Sequence, residues 1–243
     1  MTGAPTTGSL SIPLLPGERT AARRARFALV QACSLIGLSL GVAAIFLAIN
    51  GHVQSAAACL VAYAACDGFD GALARRLGVA SPFGAQMDSL VDMSSTGIAA
   101  PVVVYAALHG SVPPAAAAVT AGLVASGAAI RLARFNVSPK DGRFFCGVPT
   151  TIATAMLAFA VLIGVTLPGM AMLAGVALLA FAMVSSFPYA KLAKIATLPP
   201  WLWLIPVVAG FYDVQLTFAA LVLIYLASGP IIWLRQRSAG RTV

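Results

Sequence analysis

Long apolar runs separated by short polar breaks dominate the chain. Stretches such as 27–49 and 170–184 are apolar on every face and show no alternation of period two. That pattern belongs to buried helices, not to the strands of a transmembrane barrel. Breaks at Asn50-Gly51-His52, His109-Gly110-Ser111, Leu167-Pro168-Gly169 and Phe211-Tyr212-Asp213 alternate with longer basic segments. They divide the chain into eight spans, near 27–49, 54–76, 85–108, 113–134, 148–166, 170–187, 200–211 and 214–234. A helix crossing a hydrocarbon core of about 30 Å at about 1.5 Å per residue needs about 20 residues, and most of these spans reach that length. The seventh is the shortest and has Pro199-Pro200 at its start. The pattern predicts an all-α, polytopic membrane protein with about eight transmembrane helices. Its membrane domain covers 27–235, after a segment 1–26 that is rich in Thr, Gly, Ser and Pro and then basic, and before a short tail 236–243.

Composition agrees, with 60% hydrophobic and 9% charged residues and a mean hydropathy of +0.94. These values exclude a disordered chain, a secreted disulfide scaffold and a soluble nucleic-acid binder, although the formal net charge is +8. The charge is a topology signal. Arg19, Arg23, Arg24 and Arg26 precede the first span, Arg75 and Arg76 end the second, and Arg131, Arg134, Lys140 and Arg143 follow the fourth. Lys191 and Lys194 follow the sixth, and Arg235, Arg237 and Arg241 the eighth, so all 15 basic residues fall on the side of the N-terminus. The positive-inside rule then places both termini in the cytoplasm, and the expected location is the cytoplasmic (inner) membrane, where anionic headgroups attract the basic face. The first run is too long for a signal-peptide core and lacks a small-x-small cleavage site, so it reads as a retained helix. Cys33, Cys59, Cys66 and Cys146 show neither CxxC nor Cys/His ligand spacing and read as small core residues.

Against this background the acidic residues stand out. Of seven, Asp67, Asp70, Asp88 and Asp92 lie at or inside the cytoplasmic ends of spans two and three. Burying so many carboxylates is costly unless a cation offsets it. Asp67 and Asp70 are three apart and Asp88 and Asp92 four apart, so each pair shares a helix face. A short connection through 78–82 makes the two helices antiparallel neighbours whose acidic faces meet. Converging carboxylates suit a hard divalent metal, two Mg²⁺ or Mn²⁺ ions sharing oxygens. Zinc is excluded, because His52 and His109 lie on the opposite side. Gly71 and Gly84 leave room for a bulky ligand to approach backbone. Arg75, eight residues after Asp67, points the same way and would bind a phosphate as a fork, while Arg76 reads as a snorkelling anchor.

The stretch Asp67-Gly-Phe-Asp70-Gly71-Ala-Leu-Ala74-Arg75, eight residues, Gly84, three residues, Asp88, three residues, Asp92 resembles the complete signature of the CDP-alcohol phosphotransferase family. The resemblance implies that Asp67 and Asp88 bridge two metals, that Asp70 completes one site, and that Asp92 completes the other and acts as base. It implies contacts to the CDP group from Gly71, Arg75 and Ser81, with Gln31 and Ser34 of the first helix lining the donor pocket, and it suggests a homodimer.

Downstream, Arg131-Leu-Ala-Arg134-Phe135-Asn136, Phe145-Cys-Gly147-Val-Pro149 and Val184-Ser-Ser-Phe-Pro188-Tyr189-Ala-Lys191 are similar to segments of the phosphatidylserine-synthase branch of that family. One stretch departs: the family commonly reads G-L-P-S-P-A-A where this chain has Gly147-Val-Pro149-Thr-Thr-Ile-Ala153. Arg131 and Arg134 share a face near the cytoplasmic boundary and read either as anchors or as ligands of a serine carboxylate or lipid phosphate. Asn136 reads as a helix cap or a ligand contact. The expected reaction is phosphatidyl transfer from CDP-diacylglycerol to L-serine on the cytoplasmic side. The alternatives are another acceptor, such as glycerol 3-phosphate or an inositol phosphate, an archaeal lipid donor, or a cation-coupled transporter. The transporter is disfavoured, since no inverted repeat is visible and the acids lie by one face.

Overall fold

The computed structural model describes residues 20–137, 145–189 and 200–238. Arg19, Lys140, Asp141, Arg143, Lys191, Lys194, Arg241 and most of the 1–26 segment lie outside the described residues, as does the side chain of Cys146.

Described residues are almost wholly helical: α1 (Ala21–Ile49), α2 (Val53–Arg76), α3 (Pro82–Ser94), a π turn (Ser95–Ala99), α4 (Ala100–Ala107), α5 (Pro114–Val137), α6 (Thr150–Leu162), α7 (Gly169–Val184), α8 (Pro200–Tyr212) and α9 (Val214–Ser238). With α3, the π turn and α4 taken as one rod, these follow the eight apolar spans of the sequence. Five rods are long and apolar enough to cross a membrane: Ala21–Ile49, Val53–Arg76, Pro82–Ala107, Pro114–Val137 and Val214–Arg235. Helices α6 and α7 are apolar but have 13 and 16 residues, about 20 and 24 Å at about 1.5 Å per residue.

These two are shorter than their hydropathy suggests because backbone chemistry ends them first. Pro149 precedes α6, and Gly164 follows it in the left-handed region at φ 62°. Ser185 turns extended after α7. The π turn has a similar local cause. Pro101 has no N–H to continue the ladder, and the Ala100 N–H reaches back five residues to Ser95.

Small residues let the rods approach closely. A Cβ on Gly37 would sit 3.3 Å from the Tyr63 ring, and one on Gly41 would sit 2.6 Å from the Ser95 hydroxyl. This pair therefore seats α1 on α2 and on the π turn within one chain. Gly127 packs in the same way against the Ala180 carbonyl of α7. Alanines 44, 48, 56, 57, 99, 100, 128, 153 and 158 line a common core with Leu60, Val103 and Val124. Large apolar side chains such as Phe46, Leu90, Val119, Phe181 and Leu223 point outward, as a lipid-facing surface requires.

A two-residue antiparallel pair, β1 (Phe145–Cys146) with β2 (Pro188–Tyr189), is the one strand feature among the described residues. It ties the entry of α6 to the exit of α7. The Gly147 N–H donates to Phe187 and the Val148 N–H to Ala182. Tyr189 stacks on Tyr225, and Phe187 meets Trp233 edge-on, so the pair also pins α9.

Candidate metal and phosphate site

Two helix ends and the start of a third build the site. Helix α2 carries Asp67, Asp70, Gly71 and Arg75 in its last turns. Its faces are sharply distinguished: Asp70 is 4% exposed, while the adjacent Phe69 is 72% exposed. Residues 77–81 then reverse the chain, with Gly78 in the left-handed region at φ 64°. Ser81 caps α3 by accepting the Gly84 N–H at 3.0 Å, and Pro82 opens the helix. The turn is short enough to bring Asp88 back against Asp67 and Asp70.

Carboxylate oxygens of Asp67, Asp70 and Asp88 lie within 4.8 Å of one another. Side-chain donors reaching them are neutral hydroxyls. Ser34 of α1 donates to Asp70 Oδ2 at 2.6 Å, and Thr151 of α6 donates to Asp67 Oδ2 at 2.6 Å. One buried and two half-buried carboxylates converging, with oxygen the shared donor atom, fit a hard divalent cation. An Asp cluster able to hold such an ion is therefore in place.

Asp92 is not one of the three. It is buried a turn further along α3, and both of its oxygens are engaged: Oδ1 accepts from the Tyr63 hydroxyl and Oδ2 from Thr150 at 2.6 Å. Each carboxylate oxygen has two acceptor positions, so among the described residues one stays open on each.

The residues expected around a nucleotide cluster at the same end. Gly71 lies beside the Arg75 guanidinium, 3.6 Å from where its Cβ would be, and Arg75 is exposed. Gln31 packs over Gly84, its amide nitrogen 3.2 Å from the position a Cβ would take there. Gln31 Oε1 is buried with no hydrogen-bond partner among the described residues. Such an acceptor is costly unless a ligand donates to it.

Arg131, Arg134 and Asn136 all lie in the last two turns of α5. Arg131 is buried. Arg134 Nη1 donates to the Val184 carbonyl at 2.9 Å, so this guanidinium ties α5 to the C-terminal end of α7, where carbonyls lack helical partners. Asn136 Oδ1 accepts from Ser89 at 3.1 Å, joining α5 to α3 beside Asp88. Arg134 and Asn136 carry further N–H groups of their own.

Sequence reasoning missed Tyr63, Thr150 and Thr151. Tyr63 had a signal, since it stands four residues before Asp67 and shares its helix face. The threonines had only their position in the stretch that departs from the common pattern.

Residues 27–187 match the family model of CDP-alcohol phosphatidyltransferases. Among curated proteins, the chain is 34% identical over 128 residues to the CDP-diacylglycerol–serine O-phosphatidyltransferase of Mycobacterium leprae, covering 50% of this chain and 42% of that protein. It is 36% identical over 126 residues to the Helicobacter pylori protein of the same name, covering 51% and 53%. The archaetidylserine synthase of Methanothermobacter thermautotrophicus is 30% identical over 145 residues, covering 56% and 59%. The chain thus spans about half the length of the curated relatives it matches.

Proposed function

The chain belongs to the CDP-alcohol phosphatidyltransferase family, and from that premise we propose that this integral membrane protein transfers a phosphatidyl group from CDP-diacylglycerol to L-serine. The products are phosphatidylserine and CMP. The observation that carries the reading is the convergence of Asp67, Asp70 and Asp88 between two antiparallel helix ends, with Arg75 one turn beyond. Serine as acceptor is supported by the one word that the names of these relatives share.

In this reading Asp67, Asp70, Asp88 and Asp92 would hold two Mg²⁺ or Mn²⁺ ions. Bound there, the metals supply positive charge against the diphosphate. Arg75 binds a phosphate oxygen pair as a planar fork. Gly71, Gly84 and the Ser81 cap let the nucleotide lie against backbone, and Gln31 and Ser34 line its pocket, with Gln31 Oε1 awaiting a donor. Asp92 accepts the serine hydroxyl proton on an open acceptor position. The serine oxygen then bonds to the β-phosphorus as the bond from that phosphorus to the CMP oxygen breaks. Arg131, Arg134 and Asn136 stand where an acceptor carboxylate or a lipid phosphate would meet donors.

The one-sided distribution of basic residues supports eight crossings over 27–235, both termini in the cytoplasm and a cytoplasmic-facing site in the inner membrane. Nucleotide and serine then arrive from water while the acyl chains stay in lipid. A homodimer is proposed on the family resemblance.

The test is CMP release by purified protein given CDP-diacylglycerol, Mn²⁺ and a panel of alcohols. Release with serine alone supports the assignment. Release only with glycerol 3-phosphate or an inositol phosphate would keep the chemistry and overturn the acceptor.

A further inference from the structure

Helix α6 follows the signature by more than fifty residues, yet its first turn reaches the acidic site twice. Thr150 and Thr151 are its first two residues. In the interior of a helix a threonine hydroxyl commonly bonds the carbonyl four residues back. At the first turn that carbonyl lies outside the helix, so both hydroxyls are free to point across to α2 and α3. Thr151 donates to Asp67 Oδ2 and Thr150 to Asp92 Oδ2, each at 2.6 Å.

The consequences differ for the two acids. Asp67 receives one side-chain hydroxyl, which fixes the plane of its carboxylate and leaves the other oxygen to turn toward Asp70 and Asp88. Asp92 is gripped at both oxygens, by Thr150 and by the fully buried Tyr63, and stays apart from the converging three.

We propose that the first turn of α6 is a positioning element with two separable tasks: the Thr151 hydroxyl orients Asp67 for metal binding, and the Thr150 hydroxyl, with Tyr63, orients Asp92 for proton transfer. This inference rests on the reading of Asp67 as a metal ligand and Asp92 as the base. The rest of α6 holds its first turn in place. Thr154 shares a buried 2.6 Å hydrogen bond with Thr96 of the π turn, and the entry to the helix is anchored by the Val148 N–H donating to Ala182 of α7 and the Gly147 N–H donating to Phe187 just beyond it.

The experiment uses the full chain in detergent, with Mn²⁺ alone as the binding probe, read by electron paramagnetic resonance of free Mn²⁺. Turnover is measured separately at saturating Mn²⁺ and substrates. Thr151→Val keeps shape and removes the donor; Mn²⁺ affinity should fall about 10- to 100-fold, as for other residues that orient metal ligands. Thr151→Ser restores the donor and should restore the affinity. Thr150→Val should lower kcat by about tenfold or more with a much smaller fall in Mn²⁺ affinity, and Thr150→Ser should recover kcat.

Wild-type affinity in Thr151→Val, or equal loss in Thr151→Val and Thr151→Ser, would overturn the first task, the latter by showing that packing and not the hydroxyl matters. Full kcat in Thr150→Val would overturn the second. Thermal unfolding without metal identifies any variant that fails to fold, and the serine variants then carry the decision. If the wild-type chain binds no Mn²⁺, the metal reading of the site fails first, a result distinct from any behaviour of the threonine variants.

Discussion

Asp92 is buried and Asp67 half-buried at one helix junction, and their hydrogen bonds assign them different work. Asp67 shares its oxygens with Asp70, Asp88 and one hydroxyl, an arrangement that is unfavourable for carboxylates unless a cation joins them. Replacing Asp67 or Asp88 by Ala should therefore abolish both Mn²⁺ binding and CMP release, and excess chelator should abolish release reversibly in the wild type. Asp92→Asn is the contrasting case. The amide keeps the size and one acceptor oxygen for Tyr63 or Thr150, but it cannot take a proton. Turnover should fall about 10²- to 10⁴-fold while Mn²⁺ affinity falls much less, as steady-state kinetics and Mn²⁺ titration would report. Equal losses in both would make Asp92 chiefly a ligand. At this scale the four aspartates were legible because i, i+3 and i, i+4 spacing fixes a helix face without any tertiary information. Tyr63 and Thr150 were not, since their meeting with Asp92 spans 29 and 58 residues of chain and only packing brings them there.

Helix ends carry the next level of information, and here hydropathy misleads in a specific way. Val148 and Val165 extend the apolar run around α6, but Pro149 and the left-handed Gly164 stop the helix short of both. Hydropathy measures what a residue leaves water for, not whether its N–H has a partner. The π turn is invisible to it for the same reason, although Gly97 and Pro101 were in plain view. The β1–β2 pair escaped as well, because two residues carry no period. What holds that pair is testable at Gly147. Its φ of 79° is in the left-handed region, and a Cβ there would collide with the Met183 carbonyl. Gly147→Ala should destabilise the protein by about 1–3 kcal/mol, from backbone strain plus displacement of α7. A lowered midpoint in detergent thermal unfolding would register it. Because α6 starts three residues later, the same variant should also weaken Mn²⁺ binding, whereas Gly175→Ala, open within α7, should change neither.

The orientation of the whole molecule depends on where its charges can go. Moving a Lys or Arg through the hydrocarbon core is strongly unfavourable, and the insertion machinery leaves basic loops on the cytoplasmic side. Fifteen basic residues all fall in alternate breaks, and the described helices reverse direction at each tight connection, with Gly51 and Gly110 at two of the opposite turns. The acidic site lies at the basic end, beside Arg75 and Arg76, so orientation and chemistry are one question. A site on the other face would have no access to cytoplasmic nucleotide. In a chain whose native cysteines are replaced, single cysteines at positions 51 and 110 should react with a membrane-impermeant maleimide only from the non-cytoplasmic face. Cysteines at 78 and 237 should react only once the cytoplasmic face is opened. Labelling at 110 from the cytoplasmic side would overturn the three crossings assigned to the first three rods. Labelling at 78 and 237 from opposite faces would leave the site where it is but make the number of crossings between them odd instead of even, and the two short helices α6 and α7 would be the ones to re-examine.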